Sequence, residues 1–174
     1  MAFDYRGFGN NSGRPTEEGL YADATAAYDY LIRARGVPVS RIILAGRSLG
    51  SAVAIDLATR VDAGGLLLFA PIDSVPLVAA RLYPWAPVRL LATYRFDNVI
   101  KARVLDAPVV LFYGLNDSFV PLSDARALFQ EFRGPKLMVE TNGGHHHAGF
   151  TNVSELYRAL AGFWPPDQAA PDRR

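Results

Sequence analysis

The sequence predicts an α/β fold, and three features carry that prediction. Short, nearly continuous apolar runs recur at 41–45 (RIILA), 65–69 (GLLLF), 108–113 (PVVLFY) and 136–140 (KLMVE), as parallel strands covered on both faces require. Between them, apolar residues return every three or four positions, the period of a helix with one buried face. Gly, Pro, Asn and Asp cluster where one pattern gives way to the other. Regular alternation of these two element types is the mark of a layered α/β domain. Half of the 174 residues are hydrophobic and a fifth are charged, enough to bury one core.

The elements follow in order. The opening Met1-Ala2-Phe3-Asp4 reads as the end of a buried strand that enters a loop punctuated by Gly7, Gly9 and Gly13. Pro15-Thr16-Glu17-Glu18 is a helix start, with Thr16 as cap and acids in the first turn. Tyr21, Ala24, Tyr28 and Leu31 mark its buried face, and Gly36 and Pro38 end it. The strand at 41–45 leads to a compact small-residue helix from Ser51 to Arg60. After the strand at 65–69, the stretch from about 73 to 98 breaks the rhythm with prolines 76, 84 and 87 and many aromatic residues. It predicts two short proline-interrupted helices outside the sheet, serving either as a lid over an apolar pocket or as core packing. A helix from about Ser123 to Phe132 joins the last two strands, and another from about Asn152 to Phe163 follows. A single domain thus spans 1–166, and the Pro-, Asp- and Arg-rich tail at 167–174 is expected to be disordered.

Composition excludes several classes of function. With a net charge of +1 and no basic tract, nothing suggests a nucleic-acid partner. No apolar run approaches the roughly twenty residues needed to span a membrane. The absence of cysteine removes disulfides, thiolate catalysis and Cys-based zinc sites. Gly7-Phe8-Gly9 has a trace of a dinucleotide-binding loop. That motif requires the helix to open on the glycines, however, and Pro15 and Thr16 delay it. A nucleotide-binding domain is therefore only a remote alternative.

The chemistry lies elsewhere. Gly46-Arg47-Ser48-Leu49-Gly50 follows a strand and precedes a helix, the context of a nucleophile elbow. Flanking glycines let the backbone turn sharply enough to lift Ser48 Oγ clear, and the Leu49 N–H faces a developing oxyanion near a helix N-terminus. A serine nucleophile needs a base, and the base needs an acid to orient it. The three histidines stand together as His145-His146-His147, after two glycines and the last strand. His145 is the favoured base, with His146 and His147 as alternatives. Asp117, in Asn116-Asp117-Ser118 beyond the preceding strand, is the favoured acid; it could also be a turn-former, and Asp73 is the alternative acid. Adjacent histidines in one loop seldom converge on one ion, and no carboxylates stand at ligand spacing, so no metal and no cofactor are expected. The order Ser48, Asp117, His145 places each residue beyond a strand's C-terminal end, where open α/β sheets build their sites.

Taken together, DYRGFGNNSGRPTEEGLYADA, GRSLGSAVA, the FDN at 96–98, YGLNDSFVP and GGH resemble the α/β-hydrolase superfamily. The likeness is greatest to its BEM46-like group, whose members are similar to serine aminopeptidase (S33)-type hydrolases, and it extends from Met1 to about Trp164. The resemblance implies a mostly parallel sheet with helices on both faces and a short helical cap at 73–98. It also implies a Ser48 nucleophile, an Asp117 acid and a His145 base; a small-molecule acyl substrate and a cytoplasmic location are expected. The family commonly continues its His with Asn-Asp, where this chain has His146-His147. In the family, further strands and a His-Gly loop precede the Asp-Tyr-Arg-Gly segment, so the resemblance implies an N-terminally truncated fold. That loop carries the second oxyanion N–H, and the strand before it covers the edge of the 41–45 strand. An inactive remnant or non-catalytic binding module is accordingly the alternative expectation.

Overall fold

The computed structural model describes residues 1–148 and 153–164. Four strands form one parallel sheet in sequence order: β1 (Ile43–Arg47), β2 (Gly65–Phe69), β3 (Val109–Gly114) and β4 (Lys136–Thr141). The strand at 41–45 is displaced by two residues from its expected position. Val39–Arg41 form a 3-10 turn after Pro38, and the ladder runs on to pair Gly46 with Leu68 and Arg47 with Phe69.

Helices cover both faces of the sheet, as the alternation requires. α1 (Glu17–Asp29) opens as expected, the Gly19 N–H donating to Thr16 Oγ1 at 3.0 Å with Glu17 and Glu18 in the first turn. It continues through a π-helical turn, Tyr30–Ala34, and stops at Gly36, whose φ of 61° suits glycine. α2 (Leu49–Ala58) and α6 (Leu122–Glu131) share this face. There Leu20, Ala24, Val53, Ile55, Leu128 and Phe132 pack against Leu44, Leu66, Leu68 and Leu111 in the main core. α7 (Val153–Phe163) covers the opposite face, where Leu156, Leu160, Phe163 and Trp164 meet Phe69, Val110 and Phe112.

The proline-broken segment does contain two short helices outside the sheet, α3 (Val75–Leu82) and α4 (Val88–Leu91). Pro76 sits in the first turn of α3, where a missing N–H costs nothing, so Pro84 and Pro87 make the break. Only part of the segment joins the core: Leu82, Tyr83, Leu91 and Leu90 are exposed, and Trp85 is 83% exposed. The sequence pattern missed α5 (Asn98–Ala102), which returns the chain to β3. Its approach is pinned to α1, because the Glu17 carboxylate accepts from the Arg95 and Phe96 N–H groups at 2.7 and 3.0 Å.

β1 is an edge strand, and its exposed Ile43 faces an apolar trough lined by Phe3, Tyr5, Ala24, Leu31, Leu44 and Val53. Met1–Asp4 form no strand and are exposed, contrary to the reading of MAFD as a buried strand end. An apolar start alone cannot make a strand; a ladder partner is needed, and β1 lies across the trough. The tail at 167–174 lies outside the described residues.

Candidate active site

The site stands where β1 turns into α2. Ser48 has φ 51° and ψ −118°, a conformation that L-residues avoid, and the turn around it holds that strain. Its N–H donates to Phe69 O at 2.9 Å, which ties the turn to β2. Its carbonyl accepts from the Ser51 N–H at 3.0 Å and from the Ser51 hydroxyl. Gly46 is required by contact: a Cβ there would lie 2.1 Å from Gly50 O. The turn therefore brings two backbones closer than any side chain permits, as the G-x-S-x-G spacing anticipates. Leu49 is the first residue of α2, so its N–H belongs to the helix end whose amides lack intrahelical acceptors.

Asp117 follows β3 and is both a turn-former and a partner of histidine. One oxygen, Oδ1, accepts from the Phe119 and Val120 N–H groups at 2.8 and 3.0 Å, closing an Asx turn. The other, Oδ2, lies 2.7 Å from His145 Nδ1, and the carboxyl side chain is wholly buried. Behind it, the Tyr113 hydroxyl donates to Val120 O at 2.7 Å; burial, with Asp117 nearby, raises the pKa of that phenol and keeps it a donor.

His145 lies in a turn after β4, closed by the His147 N–H donating to Gly144 O at 3.0 Å. Its Nε2 is 2.9 Å from Ser48 Oγ, so Asp117, His145 and Ser48 form one continuous hydrogen-bonded line. The residue is buried, and Phe119 packs on its imidazole with centroids 5.1 Å apart. The alternatives are placed differently. Asp73, just beyond β2, is buried but holds Arg81 at 3.0 Å and accepts from the Ser74 N–H at 2.7 Å. His146 and His147 are exposed. Among the described residues, no three His, Asp or Glu side chains cluster to hold a metal ion.

Two residues of the site escaped the sequence reading. Phe119 carried no signal beyond its nearness to Asp117. Arg47, the variable residue of the elbow, donates from Nη1 to His146 O at 2.9 Å across 99 positions. No local pattern reports a contact of that separation.

A parallel sheet with a serine on the strained strand-to-helix turn, and with an acid and a histidine beyond later strands, defines the α/β-hydrolase class. Solved structures agree on the fold. An acetyl xylan esterase from Paenibacillus sp. R4 superposes with a TM-score of 0.73 at 19% identity, over 92% of this chain and 64% of that one. An α/β hydrolase from Vibrio vulnificus gives 0.73 at 23% identity, over 91% and 61%. Human alpha/beta hydrolase domain-containing protein 17B is 32% identical over 160 residues, covering 90% of this chain and 51% of that protein. An uncharacterized protein of Mycobacterium tuberculosis H37Rv is 38% identical over 147 residues, covering 84% and 52%. No family model matches the chain. The chain belongs to the α/β-hydrolase superfamily. It spans about half the length of the curated relatives that it matches. Among the described residues no helix is long and apolar enough to cross a membrane.

Proposed function

We propose that this chain is a serine hydrolase that transfers an acyl group from a small-molecule ester, thioester or amide to water. The observation that supports this best is the line Asp117–His145–Ser48, with its two steps of 2.7 and 2.9 Å. Asp117 accepts a hydrogen bond from the His145 Nδ1–H, which keeps the proton there and leaves Nε2 free to accept from Ser48 Oγ. As Oγ attacks the carbonyl carbon, its proton passes to Nε2, and the new oxyanion lies against the Leu49 N–H at the start of α2. Expulsion of the leaving group takes the proton from Nε2 and leaves an acyl-Ser48 ester. Water then attacks that ester, gives a proton to the same nitrogen and releases the acid, with Ser48 restored. The chemistry needs no cofactor. Relatives whose names include esterase favour esters over amides as the first class to test.

The test is release of p-nitrophenol from short-chain p-nitrophenyl esters by the purified chain and by Ser48→Ala. Hydrolysis that falls to the no-enzyme rate in Ser48→Ala, with an unchanged Tm, is the expected result. No hydrolysis by a well-folded chain would reject the reading in favour of a non-catalytic one.

A further inference from the structure

The order β1-β2-β3-β4 sets a problem for the proposed site. Ser48 follows β1 and His145 follows β4, three strand spacings apart, or about 14 Å at roughly 4.8 Å each. The acid and base loops are neighbours and are tied directly. Leu115 and Asn116 donate their N–H groups to Thr141 O and Gly143 O at 2.8 and 3.0 Å, and Asn116 Nδ2 donates to Asn142 O at 2.9 Å. The turn bearing Ser48 has no such ladder to the turn bearing His145. Among the described residues, two hydrogen bonds cross the gap. One is the bond between His145 and Ser48 itself; the other runs from Arg47 Nη1 to His146 O at 2.9 Å.

We propose that Arg47 is a positioning residue, which spans from the elbow to the base turn and holds His145 Nε2 over Ser48 Oγ. This rests on the acyl-transfer reading above. Arg47 is the residue immediately before Ser48 and sits on the last rung of β1, paired with Phe69, so its anchor is as rigid as the sheet. The carbonyl it holds belongs to the turn closed between Gly144 and His147, one residue beyond the base. The guanidinium is exposed, so the bond adds little to folding stability. Its effect falls on rate, because a misplacement of about 1 Å between reacting groups can cost on the order of a hundredfold. Lysine can donate to the same carbonyl, whereas methionine keeps the length and loses the donor.

The test compares the wild type, Arg47→Met and Arg47→Lys in the full chain. Labelling of Ser48 by a fluorophosphonate probe is followed at several concentrations, to separate the saturating rate from half-saturation. Arg47→Met should lose ten- to a hundredfold in saturating rate, with half-saturation within about twofold and an unchanged Tm, and Arg47→Lys should recover most of the loss. A second readout needs no turnover: the low-field proton resonance of His145 Nδ1–H should be sharp in the wild type and Arg47→Lys, and broadened in Arg47→Met. Wild-type labelling rates in Arg47→Met, failure of Arg47→Lys to rescue, or a loss of labelling that follows a fall in Tm would each overturn the proposal. If the wild type is unlabelled but the resonance depends on Arg47, acyl transfer fails and positioning stands. If Ser48 is labelled at a rate indifferent to Arg47, positioning alone fails.

Discussion

Asp117→Asn separates the orienting role proposed for the carboxylate from its observed role in the turn. Asparagine keeps an oxygen for the Phe119 and Val120 N–H groups, now at 2.8 and 3.0 Å, so the Asx turn should survive. On the other side it presents an NH2 group to His145 Nδ1, which lies 2.7 Å from Oδ2 in the structure. Two donors cannot face each other at that distance, so the imidazole moves its proton to Nε2. That proton then points at Ser48 Oγ, 2.9 Å away, and the nitrogen can no longer act as a base. Wrong-tautomer substitutions in Ser-His-Asp sites cost about 10⁴ in kcat, or about 5.4 kcal/mol of transition-state stabilisation. Asp117→Ala should differ, because it also strips the acceptor from the exposed Phe119 N–H and the part-buried Val120 N–H, the latter at about 1–3 kcal/mol if left unsatisfied. The assay is p-nitrophenyl ester hydrolysis beside thermal unfolding of both variants. Asp117→Asn should lose about four decades of rate with a Tm close to wild type, and Asp117→Ala should lose both rate and Tm. Retention of rate within tenfold in Asp117→Asn would refute the reasoning, and a comparable loss in Asp73→Asn would move the acid to the other candidate.

Three further outcomes follow from particular contacts. Gly46→Ala should abolish hydrolysis and lower Tm by several degrees, since its Cβ would lie 2.1 Å from a backbone oxygen; a wild-type Tm would contradict the packing of the elbow. Tyr113→Phe removes the donor to Val120 O behind the Asp117 turn and should cost about 1–2 kcal/mol in chemical denaturation, with a modest loss of rate; no change in stability would count against that bond. Asp23, held by the Arg6 backbone N–H and guanidinium, has its carboxyl pKa lowered, chiefly by the side-chain hydrogen bonds from Arg6. Its contribution is therefore present above the unfolded carboxyl pKa of about 3.9 and is lost as pH falls through the depressed folded value. Asp23→Asn should be less stable than wild type at pH 7, and the gap should close on acidification below about pH 4; a gap that widens with acid would reverse the sign of the argument.

The fold and the candidate site were legible to different depths. Strand-helix alternation was readable because apolar runs and the helical period are local, and so was the elbow, because Gly46 and Ser48 lie within one turn. Boundaries were less so. β1 reaches Arg47 because ladder pairing needs a backbone, not an apolar side chain, and a search for apolar residues stops at Ala45. α5 is five residues long, too short to show a period. MAFD looked like a strand end because Met1, Ala2 and Phe3 are apolar, but a strand also needs a neighbour. The sequence favoured Asp117 but left Asp73 open, for a similar reason. Both follow strands, and only the fold shows Asp73 engaged by Arg81 while Asp117 faces His145. Arg47 is the extreme case, since its partner lies 99 positions away.

The central claim is that Ser48 is a nucleophile driven by His145. Its most direct measurement is reaction of the purified chain with a fluorophosphonate, followed by peptide mapping in a mass spectrometer. The account predicts one adduct, on the peptide carrying Gly46–Gly50, localised to Ser48, absent from Ser48→Ala and slowed at least a hundredfold in His145→Gln. A folded chain that stays unmodified, or that is modified at the same rate without His145, would contradict it.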